Sequence, residues 1–282
     1  MQKPACEQGR NIQLEHYALA HTQASARPRM LEILEHIRRD VAALDRKAVV
    51  ALVYAAFGLA CIYYLKDTAA VAGFLSGTQL EPLGRWITDS HANNLPGLTW
   101  WVAVVSVFYF VGPFLIIKLG WHGNVRDFGL RLRIEPGFWK LFAACTAVML
   151  PLVYLMSLTS GFTAKYPFLR IFNGEPYIGR TLLIWELIYF VQFFGLEFFF
   201  RGFLVHSLKR SLGLYSIFVM TVPYCMIHFG KPPAETMAAI AAGIFLGWLS
   251  YRNGSIWLGL ALHCTVAFSM DILALHAKGL LF

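Results

Sequence analysis

Residues 192–204 read QFFGLEFFFRGFL and place one acid and one base, Glu197 and Arg201, in an otherwise apolar stretch. Ten of these thirteen residues are Phe, Leu or Gly. Positions i and i+4 are neighbours on a helix, so the two charged side chains can pair. Because ionisable groups inside a membrane segment are expensive, they are functional candidates by default. The stretch predicts a membrane helix that carries either a structural ion pair or a reactive carboxylate.

The composition of the whole chain supports a membrane location. Hydrophobic residues make up 57% of the 282 residues and charged residues only 14%, whereas soluble domains carry about 25% charged residues. Seven apolar segments approach the ~20 residues that cross a bilayer as a helix, although the fifth and sixth are short. These segments are residues 48–65, 98–119, 138–160, 180–205, 214–229, 236–251 and 255–275. We expect an all-α polytopic membrane protein with about seven (six to eight) transmembrane helices.

Basic residues indicate the orientation. Six of them lie in segment 27–47, and others follow the second, fourth and sixth apolar segments. Since basic residues concentrate in cytoplasmic loops, the N-terminus is predicted to be cytoplasmic. The membrane itself is expected to be the plasma (inner) membrane, which this pattern does not determine. The net charge of +8 then reflects topology and contact with anionic lipid. The predicted partner is the lipid bilayer, and no nucleic-acid partner is expected.

Three regions are expected along the chain. Residues 1–47 form a cytoplasmic segment, in which RMLEILEHIRRDVAAL has the apolar spacing of an amphipathic helix on the membrane surface. Residues 48–178 form a transmembrane scaffold with few ionisable groups in its spans, and residues 179–282 form the core that carries the chemistry. In this core the ionisable residues in or beside apolar segments are Glu186, Glu197, Arg201, His228, Glu235, His263 and Asp271.

Two histidines join Glu197 as candidates. His228 ends VPYCMIH, and His263 lies within GSIWLGLALHCTVAF. Their structural alternatives are a helix cap and a hydrogen bond to a helix carbonyl. Together, Glu197, His228 and His263 would suit a zinc site with an open position for water. They would equally suit a metal-free site in which Glu197 and one histidine activate water while other groups bind the oxyanion. Spacing across separate helices leaves the cofactor open between zinc and none.

Other protease signatures are absent from the sequence. It contains neither the zinc-binding HExxH motif nor the GxSxG motif of serine hydrolases, and it lacks a pair of intramembrane aspartates. Glutamate and histidine remain as the candidate reactive groups.

Three stretches in order, LEFFFRGFL, YCMIH and AGIFLGWLSYRNGSIWLGLALH, resemble the CPBP family of intramembrane proteases. That family includes type II CAAX prenyl endopeptidases, bacteriocin-processing proteins and myxosortase-like proteins. Its motifs are EExxxR, FxxxH and a histidine followed four residues later by asparagine. The resemblance covers roughly residues 180–275. It assigns catalytic positions to Glu197, Arg201, His228 and His263.

Two positions depart from these motifs. Leu196 replaces the first glutamate, which the family uses to activate water, and Ala267 replaces the asparagine that contacts the oxyanion. A subgroup with a single glutamate in ExxxR is similar to this chain, so Glu197 is predicted to be the base. Ser269 and Asp271 are candidates for the missing oxyanion partner.

The resemblance implies an intramembrane endopeptidase that cleaves near the C-terminus of a membrane-anchored or lipidated protein. Glu197 would activate water and Arg201 would orient Glu197. His228 would share the water or bind the metal, and His263 would polarise the scissile carbonyl. The alternative is a non-catalytic protein of the same fold, which binds a hydrophobic peptide or partner in an immunity or accessory role. Leu196 and Ala267 favour that alternative.

Overall fold

The computed structural model describes residues 30–91, 93–132 and 136–281, and most of these residues are helical. Three of the basic residues from which the orientation was predicted lie outside this described part of the chain. They are Arg27, Arg29 and Arg133. The α-helices are α1 (30–43), α2 (Arg46–Leu65), α3 (Thr68–Leu75), α4 (Glu81–Ile87), α5 (Leu95–Ser106), α6 (Gly112–Leu115), α7 (Phe138–Ser157), α8 (Ser160–Lys165), α9 (Arg180–Glu197), α10 (Val205–Leu212), α11 (Tyr215–Met226), α12 (Pro233–Asn253) and α13 (Trp257–Ala277).

Within the described residues, six helical stretches are long and apolar enough to cross a membrane. They are Arg46–Leu65, Leu95–Gly120, Phe138–Ser157, Arg180–Leu212, Pro233–Asn253 and Trp257–Ala277. The second and fourth are continuous because π-helical turns join their α-helices. This architecture confirms an all-α polytopic membrane protein.

The predicted fifth crossing is shorter than expected. Helix α11 has 12 residues, which span about 18 Å at 1.5 Å per residue, against a hydrocarbon core of about 30 Å. It packs closely against α12. The Lys209 ammonium at the end of α10 donates to the Tyr251 carbonyl near the end of α12, at 2.8 Å. Helices α11 and α12 therefore form a hairpin that returns to the end of α10.

The rod formed by α9, the π-helical segment Phe198–Leu204 and α10 is the most buried of the six stretches. All seven residues of the π-helical segment are buried. Tyr109 stacks on Phe199 with ring centroids 4.8 Å apart, so aromatic packing surrounds this segment. Glu197 and Arg201 are therefore held in the interior of the protein.

The loop after the second span is fixed against two other elements. Gly202 in the π-helical segment permits a close approach, since an added Cβ would lie 2.5 Å from the Phe128 carbonyl oxygen. The Ile256 amide donates to the Gly129 carbonyl at 3.0 Å, and Leu130 pairs with Ser255 in an isolated bridge. These contacts place the loop beside the turn between α12 and α13.

Residue contacts divide the chain into two compact units, Met1–Val49 and Val50–Phe282. In the first unit, α1 has the predicted amphipathic pattern, and its apolar side chains are exposed. They include Met30, Ile33, Leu34, Ile37 and Val41. The location of α1 on the cytoplasmic surface and the division at residues 178 and 179 stay predictions.

Candidate active site

Glu197 is the last residue of α9 and is completely buried. Its carboxylate oxygen Oε1 receives two contacts. The Nδ1 atom of His263 lies 2.6 Å away, and the Nη1 atom of Arg201 lies 3.2 Å away in a fully buried ion pair. The predicted residues Glu197, Arg201 and His263 thus come together from two of the membrane-spanning stretches.

The second carboxylate oxygen of Glu197, Oε2, has no hydrogen-bond partner among the described residues. The space beside it exists because residue 259 is glycine. An added Cβ at Gly259 would lie 2.5 Å from Oε2, closer than van der Waals contact allows. One oxygen of the carboxylate is therefore held by two contacts, whereas the other lies against the Gly259 backbone without a hydrogen-bond partner among the described residues.

A pocket with a volume of about 80 Å³ is lined in part by this carboxylate. Its walls come from the start of α7, the end of α12, the start of α13, and Glu197 and Arg201 themselves. Further lining residues include Ser250, Asn253, Ser255 and Gly259. Glu197 and Arg201 thus share this pocket with residues at and beside the α12–α13 turn.

The π-helical turn of Arg201 is also tied to the pocket wall. The Ser250 hydroxyl of α12 donates to the Arg201 carbonyl at 2.9 Å. His206 Nε2 lies 3.2 Å from the same hydroxyl oxygen. Single π-helical turns occur often at functional sites, and here the turn presents a backbone carbonyl to the neighbouring helix. The contact fixes Arg201 relative to α12.

The second ring nitrogen of His263 is also engaged. The Tyr224 hydroxyl lies 3.1 Å from His263 Nε2. The guanidinium carbon of Arg201 lies 3.8 Å from the centre of the Tyr224 ring, in cation–π geometry. Tyr224 thus contacts both partners of Glu197 from α11.

His228 is adjacent to this cluster without a hydrogen bond to Glu197. Its Nδ1 lies 2.8 Å from the Tyr224 carbonyl, and its ring meets the Tyr224 ring edge-on with centroids 4.9 Å apart. Because a carbonyl only accepts, Nδ1 carries the proton and the neutral ring has its lone pair on Nε2. His228 therefore presents an acceptor nitrogen beside Tyr224.

The zinc ligand set considered from the sequence does not converge. Among the described residues, no group of three or more His, Cys, Asp or Glu side chains is arranged to hold a metal ion. Glu197 and His263 are in contact, but His263 uses both nitrogens for protein contacts and the ring of His228 bonds to a backbone carbonyl. The donors present therefore do not fit a three-ligand zinc site, and no step is assigned to a metal.

The two departures from the family motifs lie in apolar packing. Leu196 belongs to the main hydrophobic cluster around the π-helical segment. Ala267 belongs to a second cluster, which includes Trp185 and Tyr189. Both positions are nearly inaccessible to solvent. Of the two adjacent positions that are glutamates in the family motif, only the second, Glu197, lines the pocket.

The suggested substitutes for the oxyanion partner face elsewhere. The Ser269 hydroxyl donates to the Thr265 carbonyl of its own helix at 2.7 Å. Asp271 accepts a hydrogen bond from the Trp185 indole at 2.9 Å, and its carboxyl group is within hydrogen-bonding range of Glu186. Neither Ser269 nor Asp271 contacts Glu197 or His263 through a hydrogen bond in the described residues.

Sequence reasoning missed three features of this region. These are the hydroxyl of Tyr224, which stands at the aromatic position of FxxxH, the glycine at position 259, and the proximity of Glu186 to Asp271. Two signals were available. Gly259 lies four residues before His263 and therefore on the same face of α13, and Tyr224 carries a hydroxyl where phenylalanine is usual. The pairing of Glu186 with Asp271 depends on how α9 packs on α13.

The fold and the site define a polytopic helical membrane protein with a buried Glu–Arg–His cluster that a pocket reaches. The family described as "Type II CAAX prenyl endopeptidase Rce1-like" matches residues 178–269, about a third of the chain. This match contains all four candidate residues, confirms the resemblance to the CPBP proteases and supports a protease-type enzyme. No curated protein and no solved structure matches the chain in the corresponding comparisons.

Proposed function

We propose that this protein is an intramembrane endopeptidase that cleaves a peptide bond near the C-terminus of a membrane-anchored or lipidated protein. The observation that carries the proposal is the asymmetry of Glu197. Its Oε1 is fixed by His263 and Arg201, whereas Oε2 has no partner among the described residues and Glu197 lines a pocket. A general base needs such a fixed carboxylate with one free oxygen.

The proposed reaction uses a water molecule admitted through the pocket. Glu197 Oε2 takes a proton from this water, and the water oxygen attacks the scissile carbonyl carbon. A tetrahedral intermediate with a negatively charged oxygen results. When the carbon–nitrogen bond breaks, Glu197 returns the proton to the departing amine, so that the carboxylate is regenerated. One carboxyl group acts as base and then as acid.

The other residues support Glu197 in this scheme. Arg201 and His263 hold Oε1, so the carboxylate remains ionised and oriented in the protein interior. The contact between His263 Nε2 and Tyr224 occupies the atom that would polarise the scissile carbonyl. We therefore propose that His263 mainly positions Glu197. His228 offers its free acceptor nitrogen beside Tyr224, where it can receive a proton during turnover.

The orientation proposed from the sequence agrees with the position of the pocket. The pocket opens at the α12–α13 turn, where the loop after the second span is bound. This end of the molecule carries Arg126, Arg131, Lys209 and Arg252. Since basic residues favour the cytoplasmic side, we propose that substrate and water approach from the cytoplasm. The membrane is proposed to be the plasma (inner) membrane.

The test compares membranes of the native host that contain wild-type protein, the Glu197→Gln variant or a deletion. New protein C-termini and N-termini are identified by mass spectrometry. Paired ends present only with the wild type would support the proposal and would identify the substrate together with its cleavage site.

A second outcome would favour the alternative function. If Glu197→Gln matched the wild type while the deletion still had a phenotype, hydrolysis would be excluded as the function. The apolar surroundings of Leu196 and Ala267 would then belong to a non-catalytic protein that binds a hydrophobic peptide or partner. Co-purification of the same membrane partner with the wild type and with Glu197→Gln would support that interpretation.

A further inference from the structure

Tyr224 ends a chain of three groups that begins at the proposed base. Its hydroxyl lies 3.1 Å from His263 Nε2, and His263 Nδ1 lies 2.6 Å from Glu197 Oε1. Tyr224 is 1% exposed and Glu197 is fully buried, so competition from bulk water is small. The order along the chain is carboxylate, imidazole and phenol.

The chemistry of the three groups fixes the direction of the hydrogen bonds. An ionised carboxylate only accepts, so His263 Nδ1 must donate to Glu197. A neutral imidazole with a proton on Nδ1 has its lone pair on Nε2. The Tyr224 hydroxyl must then donate to Nε2. This donation favours the tautomer in which Nδ1 faces Glu197 with a proton.

The helix of His263 provides no alternative polar contact for Nε2. Ala267, one turn further along α13, packs into an apolar cluster. Phe193 stacks on the imidazole with centroids 5.1 Å apart, which fixes the ring plane but supplies no donor. Among the described residues, the polar contact to Nε2 therefore comes from α11 through Tyr224.

Arg201 holds Tyr224 in place from the other side of the site. Its guanidinium lies over the Tyr224 ring at 3.8 Å while its Nη1 contacts Glu197 at 3.2 Å. The Tyr224 ring is also packed edge-on by Phe200, with centroids 5.3 Å apart. The hydroxyl is thus presented to His263 by a side chain with little freedom.

We propose that Tyr224 is a positioning residue, whose hydroxyl sets the tautomer of His263 and thereby fixes Oε1 of Glu197 and leaves Oε2 for water. The effect on catalysis rests on the proposed function, whereas the effect on the tautomer does not. The hydroxyl of Tyr224 supplies, from α11, a polar contact that Ala267 cannot supply from α13.

The test uses Tyr224→Phe, which removes the hydroxyl and keeps the ring over which Arg201 lies. Tyr109→Phe is the matched control, because Tyr109 is equally buried and stacks on Phe199. The full-length proteins are labelled with ¹⁵N-histidine in lipid nanodiscs, and the ¹⁵N resonances report the tautomer of each histidine. Cleavage is measured on the substrate identified by the terminal-peptide comparison.

We expect Tyr224→Phe to change the tautomer population of His263 and to lower cleavage about tenfold, as expected for loss of one hydrogen bond. Tyr109→Phe should change neither readout. In a Glu197→Gln background, Tyr224→Phe should cause no further loss, because the hydroxyl acts through Glu197.

Two results would overturn the inference, and they differ from failure of the proposed function. An unchanged His263 spectrum in Tyr224→Phe would show that the hydroxyl does not set the tautomer. Cleavage equal to wild type in Tyr224→Phe, with none in Glu197→Gln, would remove the catalytic role of Tyr224 and keep the protease. Equal cleavage in Glu197→Gln and wild type would end the proposed function, and the spectra would still decide the tautomer.

Discussion

Helices α9 and α13 carry two buried carboxyl sites with different neighbours. At one site, Glu197 is in contact with cationic Arg201 and with His263. At the other, Glu186 is within hydrogen-bonding range of Asp271, and the Trp185 indole is the donor to that pair. Both Glu186 oxygens lack a hydrogen-bond donor among the described residues.

The difference lies in the neighbouring charges. A buried carboxylate is tolerated when a cation and hydrogen-bond donors compensate it, which is the situation of Glu197. Two facing carboxyl groups without a cation are best satisfied when one of them donates a proton to the other. The same two helices thus provide two different environments: Arg201 and His263 compensate Glu197, whereas Glu186 and Asp271 interact with each other across the helices.

The largest expected effect is a loss of cleavage activity, which should occur at the Glu197 site and not at the Glu186 site. Glu197→Gln should lower cleavage by a factor of about 10²–10⁴, the usual contribution of general acid–base catalysis. Glu186→Gln is the matched control, with the same substitution on the same helix, and should keep wild-type cleavage. The measurement is the rate of product formation by the purified proteins. Equal losses in both variants would mean that the two sites do not differ in function.

The next effect concerns the stability that the ion pair of Arg201 with Glu197 provides. Arg201→Met should lower the free energy of unfolding by about 3–5 kcal/mol, because it leaves Glu197 buried without its cation. The control is Arg85→Met, which breaks an exposed pair with Glu81 at the same i, i+4 spacing and should cost about 0–1 kcal/mol. Unfolding in detergent with increasing denaturant measures both. A loss at Arg201 no larger than that at Arg85 would contradict a charge-compensated site.

A smaller effect is expected where the pocket meets Glu197. Gly259→Ala should introduce strain of about 1–3 kcal/mol at Oε2 and should lower cleavage more than stability. Gly247→Ala is the control for crowding alone, since its added Cβ would lie 2.8 Å from Met220 Cε and 2.9 Å from Ile217 Cγ2, away from Glu197. Cleavage rates and unfolding curves are compared for both. Undiminished cleavage in Gly259→Ala would show that Oε2 needs no open space.

The smallest effect is predicted where Glu186 faces Asp271. Glu186→Gln should change the free energy of unfolding by no more than about 1 kcal/mol, with stabilisation expected, because the amide N–H can donate to Asp271. Denaturant unfolding checks this value. A destabilisation of several kcal/mol would indicate that the charge of Glu186 is needed, for example to bind a cation together with Asp271.

The sequence predicted the membrane class and the residues of the charged site, because apolar runs and isolated charges are local features. It identified Glu197, Arg201 and His263, which the structure brings together. It indicated that the fifth segment is short, as α11 is, but it also indicated a short sixth segment, whereas α12 has 21 residues. Contacts between helices also escaped it, since the register of α9 on α13 decides that Glu186 meets Asp271.

The pocket combines residues from inside and outside the family-matched segment 178–269. Its chemical groups, Glu197 and Arg201, lie inside this segment, whereas Pro136, Gly137, Phe138 and Leu141 form a wall from outside it. Evolution can therefore change the shape of the entrance while the reactive groups stay constant. Substrate preference should follow residues 136–141 when this stretch is exchanged between related proteins. The same division separates the groups proposed to react, which lie inside the matched segment, from a wall proposed to shape the substrate entrance, which lies outside it.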